Sequence, residues 1–265
     1  MANANSSPNT SAADLMRSVE KASSAQSLVD AMRDLADAQV EEAIPLMIEA
    51  LGYNNPGAAV AAVDGLVALG DIVVPILLGQ IDGYNYGARA WAVRALASIG
   101  HPDAIETLLH TLETDFSMSV RRAAARGLGM LRWQELPQAA IEPAQARALA
   151  ALLPMTADQE WIVRYATVVG LQALAIAVSP SRSDWHTQIY DCFAHMLTND
   201  ESLAVRTRVR RSQQMISEFI ESQREGLGSQ SDMEWQAILE KLYQRKANER
   251  PIEEGDPRRF QSVAA

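Results

Sequence analysis

Two sets of side chains in this sequence have the types and spacing to hold a ligand. The first is a row of charges at one equivalent position in successive repeats: Asp64, Arg94, Arg126 and Arg211, with Val169 before the last. The second is a group of aromatics, Tyr53, Tyr84, Tyr86 and Trp91. A guanidinium gives a carboxylate two parallel hydrogen bonds, and an aromatic face stacks on a flat conjugated ligand or anchors a protein interface. Each set also has a plainer reading. Surface arginines on helices are commonly solvated, and a tyrosine in a turn can fill the space between repeats. Other chemistry is poorly provided for. His101, His110, His186 and His195 lack ligand spacing, so no metal site is expected. The single cysteine, Cys192, lies on a helical apolar pattern with Phe193 and Met196 and reads as a small core residue. No hydrolase triad, phosphate loop or nucleotide fingerprint is present.

The elements that must position these residues form a repeat. The segments 57–70, 87–100, 119–132, 162–175 and 204–217 align with one another at spacings of 30, 32, 43 and 42 residues. Leu66, Leu96, Leu128 and Leu171 fall at one position, and Arg89, Arg121, Arg164 and Arg206 at another, seven residues earlier. Periods of this size mean stacked helix pairs, in which each pair buries its face against its neighbours. The predicted fold is therefore all-α, a right-handed α-solenoid of helix pairs. First helices are expected near 41–51, 71–81, 102–112, 142–153 and 184–197, and the second helices line the concave side. On each second helix the positions of Arg89, Val93 and Leu96 face the packing side. Those of Trp91, Arg94 and Ser98 face the groove. Asp115, Asp158 and Asp200 each precede a repeat arginine by six residues. An aspartate there can accept the free N–H groups of a helix start and pair with the arginine of its own or a neighbouring repeat.

The expected boundaries are a disordered tail over 1–13, the solenoid over 14–221, a terminal helix region over 222–250 and a mobile tail over 251–265. The net charge of −10 disfavours a phosphate-backbone partner, so no nucleic acid is expected. No run of about 18 apolar residues suggests a membrane span. The N-terminus lacks the basic start and apolar core of a signal peptide. With one cysteine, a reducing cytoplasm is the natural compartment. Between residues 22 and 240 every fixed cation is an arginine, which suits carboxylate recognition as well as it suits a compositional bias.

The repeats resemble the HEAT family, and more narrowly the HEAT-like repeats of phycobiliprotein bilin lyases. The blocks LGYNNPGAAVAAVDGLVALG (51–70), DGYNYGARAWAVRALASIG (82–100) and DFSMSVRRAAARGLG (115–129) look like the F-type subunit of the heterodimeric E/F lyases of cyanobacteria. The likeness covers roughly 25–215. It implies a lyase component active only with an E-type subunit. Together they would attach a linear tetrapyrrole, phycocyanobilin or phycoerythrobilin, by a thioether to a cysteine of a phycobiliprotein α subunit. The bilin is a substrate, and no cofactor is implied. The isomerising branch carries an Asn-His-Cys tract that is missing here. Under this resemblance Arg94 and Arg126 would take bilin propionates, and Arg211 less so. Tyr53, Tyr84, Tyr86 and Trp91 would contact bilin or partner, and Asp64 or Asp115 would protonate a pyrrole nitrogen. The alternative is a non-catalytic HEAT scaffold or chaperone in phycobilisome assembly.

Overall fold

The computed structural model describes residues 11–80, 86–178 and 182–225. The chain divides into two compact units, Met1–Ile216 and Ser217–Ala265. In the second unit only 217–225 are described, as the last turns of a helix. The expected terminal helix and mobile tail thus lie almost wholly outside the described residues, as does the tail before residue 11.

Among the described residues the fold is helical, with no strand. Helices α1 (Ala12–Glu20) and α2 (Ala25–Asp37) precede the repeats. Ser11 caps α1, accepting the Asp14 N–H. Five pairs follow: α3 (Ile44–Ala50) with α4 (Pro56–Leu69), α5 (Val74–Gln80) with α6 (Tyr86–Ile99), and α7 (Ile105–Thr114) with α8 (Met118–Gly129). Then come α9 (Gln138–Leu152) with α10 (Trp161–Ala177), and α11 (Ser183–Asn199) with α12 (Leu203–Glu225). The turn residues act as their types require. Asn55 accepts the Ala58 N–H at 3.1 Å, and Pro56 opens α4, where its missing N–H costs nothing.

The second helices stack directly on one another, α4 on α2 and α6, α6 on α8, and α8 on α10. Leu66, Leu96, Leu128 and Leu171 are completely buried in that stack, as their shared position predicts. Each contributes about 1.5–3 kcal/mol relative to exposure. The segment Pro56–Gly79 is long and apolar enough by composition to cross a membrane, which the reading of the sequence missed. Gly70 breaks it: its φ of 73° turns the chain out of α4 and into α5. The segment is therefore parts of two repeats, buried against neighbours.

Candidate functional site

The arginines and aspartates of the turns form a ladder that fixes repeat to repeat. Arg89 donates to both oxygens of Asp115 (2.6 and 3.2 Å). Arg121 does the same to Asp158 (2.9 and 3.1 Å), and Arg164 to Asp200 (2.7 and 3.0 Å). Each fork therefore reaches the aspartate of the following repeat. The third nitrogen turns back to its own repeat: Arg121 Nη1 donates to the carbonyls of Asp115 and Phe116, and Arg164 Nη1 to those of Asp158 and Gln159. Each aspartate also accepts the N–H two residues on, from Ser117, Glu160 and Ser202, at 2.8 Å. Bonding to these carboxylates raises the proton affinity of Arg121 and Arg164. Both oxygens of Asp115 thus accept hydrogen bonds, from Arg89 and Ser117.

The helix face that bears Trp91 and Arg94 carries other expected residues. Asp64 is exposed on α4. On α6, Trp91 and Arg94 are half-buried, and the Arg94 guanidinium carbon stands 5.2 Å from the Trp91 ring centroid. That contact holds the guanidinium over an aromatic face, worth about 0.5–1 kcal/mol at such a site. Arg126 is exposed on α8 with its Nε 3.4 Å from Met130 Sδ. Arg211 is half-buried on α12. Tyr53 lies in the turn before α4: its hydroxyl donates to Glu49 at 3.1 Å, and burial together with Glu49 raises its pKa. Tyr86 opens α6, and Tyr84 lies outside the described residues.

Three features escaped the reading of the sequence. Met118, Trp161 and Leu203 each open a second helix, and all are exposed, Leu203 by 70%. With Phe116, which is 75% exposed, they make an apolar edge beside the ladder. Asp71, His101 and Glu135 converge, with candidate ligand atoms within 4.8 Å of one another. Arg132 pairs with both carboxylates there, at 2.9 Å to Glu135, so the neutralising charge is a guanidinium. Third, Arg208 on α12 meets Tyr165 and Gln172 on α10. Cys192 is half-buried, and burial raises its thiol pKa despite a hydrogen bond with Thr156. A reactive cysteine needs the opposite shift.

Comparison with known proteins agrees with this geometry. A model of HEAT repeats matches residues 74–172. The chain is 48% identical over 268 residues to the phycocyanobilin lyase subunit beta of Pseudanabaena tenuis (strain PCC 7409), covering 95% of each chain. It is 53% identical over 161 residues to the phycocyanin alpha phycocyanobilin lyase CpcF of Synechocystis sp., covering 61% of this chain and 75% of that one. Among solved structures it is similar to the complex of CpcE and CpcF of phycocyanin lyase from Nostoc sp. PCC7120. The match has a TM-score of 0.60 and 46% identity, and covers 65% of this chain and 98% of that one. Identity of this order, held over nearly the full length of both chains, places the chain in the phycocyanobilin lyase beta-subunit family.

Proposed function

We propose that this chain is one subunit of a heterodimeric bilin lyase. With an E-type partner it attaches phycocyanobilin through a thioether to a cysteine of a phycobiliprotein α subunit, in the cytoplasm. The observation that carries this is the 48% identity to a phycocyanobilin lyase subunit over 95% of both chains. The reaction adds S–H across the ethylidene double bond of ring A. Sulfur bonds the exocyclic carbon, the proton goes to the ring carbon, and no oxidant is required. The protein's task is to hold a reactive bilin against the acceptor thiol, and positioning alone lowers such a barrier substantially.

Arg94 and Arg126 sit at equivalent positions of stacked helices, roughly 9–10 Å apart by ordinary helix packing. That span suits the two propionates. Trp91 offers a ring face to the conjugated system, and Tyr53 stands in the turn before α4. Asp64, exposed on the same face, is the carboxyl available to protonate a pyrrole nitrogen. The apolar edge of Phe116, Met118, Trp161 and Leu203 supplies contact area for a protein partner.

The deciding experiment is co-expression of this chain with an E-type subunit, a phycobiliprotein α subunit and a phycocyanobilin pathway. Zinc-enhanced fluorescence should mark a covalent adduct on the α subunit only when both lyase subunits are present. No adduct from the full set overturns the reading, as does equal adduct without this chain. More soluble α subunit without adduct favours the scaffold instead. Within the active pair, Arg94→Gln with Arg126→Gln is expected to weaken bilin binding about tenfold, the loss of one to two charge-assisted hydrogen bonds. The melting temperature should move by less than about 4 °C, since both side chains reach solvent. Lysine at both positions should restore only part, because it lacks the fork. Absorbance titration of the folded pair gives both outcomes.

A further inference from the structure

We propose that Arg208 and Arg126, with the ring of Tyr165 on the intervening repeat, form a carboxylate-binding site that takes one propionate of the linear tetrapyrrole. Arg94 is left for the other. The proposal rests on the bilin reading above and adds residues to its site.

Arg208 differs from the ladder arginines in what surrounds it. Arg89, Arg121 and Arg164 each hold an aspartate. Arg208 is half-buried, and its Nη2 donates to Gln172 Oε1 at 2.6 Å, a neutral acceptor. Its guanidinium carbon lies 6.0 Å from the Tyr165 ring centroid. Its Nε is buried without a hydrogen-bond partner, and no carboxylate pairs with Arg208 among the described residues. A partly buried cation left without a counter-ion costs free energy that an arriving anion recovers. The vacancy is notable in a chain with 33 acidic residues against 23 Lys and Arg.

The neighbouring charges are of the same sign. Burial first, and then the positive charges of Arg211 and Arg126, push the proton affinity of Arg208 down. Arg126 and Arg211 share one groove-facing position two repeats apart, and the repeat between them has Val169 there, which adds no charge of its own. Arg208 falls at the position of Trp91, also groove-facing. Arg208 thus stands beside the exposed ring of Tyr165, and Arg126 and Arg211 hold the same register on α8 and α12. A lone inorganic anion needs only the charge. A carboxylate on a flat conjugated skeleton uses the ring as well, through stacking. Gln172 is itself 93% buried by packing and fixes the guanidinium plane, so the fork is positioned before the ligand arrives.

The test separates the carboxylate from the rest of the bilin. The complex of this chain with its E-type partner is titrated with phycocyanobilin and with its dimethyl ester, which has the same ring system but no charged propionates. Wild type should bind the free acid more tightly than the ester. Arg208→Gln should weaken binding of the acid about tenfold and leave the ester within twofold, and Arg208→Lys should recover part of the loss. Unchanged affinity for the acid in Arg208→Gln overturns the proposal. An equal loss for acid and ester overturns it too, because that is damage to packing and not recognition of a carboxylate. Wild-type complex that binds neither form sinks the bilin reading itself, and the proposal with it.

Discussion

Gly170→Ala is expected to cost about 3 kcal/mol or more, because an added methyl group there meets backbone. A Cβ built at Gly170 lies 2.2 Å from the carbonyl oxygen of Ala125 on α8. At Gly129 it lies 2.0 Å from the carbonyl oxygen of Gly170, so the α8 and α10 backbones touch at both points. Neither obstacle is the end of a flexible side chain. The helices must separate, and the core leucines Leu128 and Leu171 then lose contact. For a solenoid unit of about 200 residues, 3 kcal/mol corresponds to a melting temperature lower by about 6–12 °C. Gly79→Ala is the control: it is exposed at the end of α5 with nothing within 4 Å, so it should be neutral or slightly stabilising. Thermal melts of the two variants and wild type by circular dichroism decide the matter. A Gly170→Ala protein that melts with wild type means that the two helices tolerate separation. The variant should also weaken bilin binding in the active pair, since α8 carries Arg126 and α10 carries Tyr165.

The repeat and its core were legible because periodicity survives in one dimension. Leu66, Leu96, Leu128 and Leu171 recur at one register, and helical geometry alone places them inside. The groove face was legible by the same argument, and Arg94 and Trp91 do meet across one turn of α6. The direction of the ladder was not. Asp115 stands six residues before Arg121 and 26 after Arg89, and only the stacking shows that its carboxylate goes to Arg89. Asp115 is readable both as a helix-start acceptor and as a proton donor, and the Ser117 N–H that it accepts accords with the first. Arg208 was overlooked because its partners are 36 and 43 residues away. Its register at the position of Trp91 was the available signal. Asp71 and His101 are likewise one repeat period apart, a relation that scanning for ligand spacing along one helix does not detect. Nor does residue type alone show that Glu49, four residues before Tyr53, accepts its hydroxyl.

Arg164→Ala is expected to cost about 3 kcal/mol, the range for one partner removed from a buried ion pair. The side chains of Arg164 and Asp200 are 9% and 4% exposed, and the arginine satisfies a carboxylate and two backbone carbonyls at once. Its loss removes the guanidinium from two carbonyls and from the Asp200 carboxylate, which keeps only the Ser202 N–H. The exposed pair Arg147 with Glu106 is the contrast, and Arg147→Ala there should cost less than about 1 kcal/mol. Acid should act on the same junction. Burial alone would raise the pKa of Asp200, but the Arg164 hydrogen bonds, the Ser202 N–H and the charges of Arg164 and Arg206 outweigh it and hold it below the ordinary carboxylate value. A depressed folded-state pKa contributes stability that is complete above the unfolded value, about 3.9, and is lost as pH falls through the folded one. Urea midpoints should therefore fall between neutral pH and pH 3 in wild type, with a smaller fall in Asp200→Asn, where the titrating group is gone. If Arg164→Ala and Arg147→Ala lose the same stability, the ladder is no stronger than a surface pair, and the repeats are held by their leucines alone.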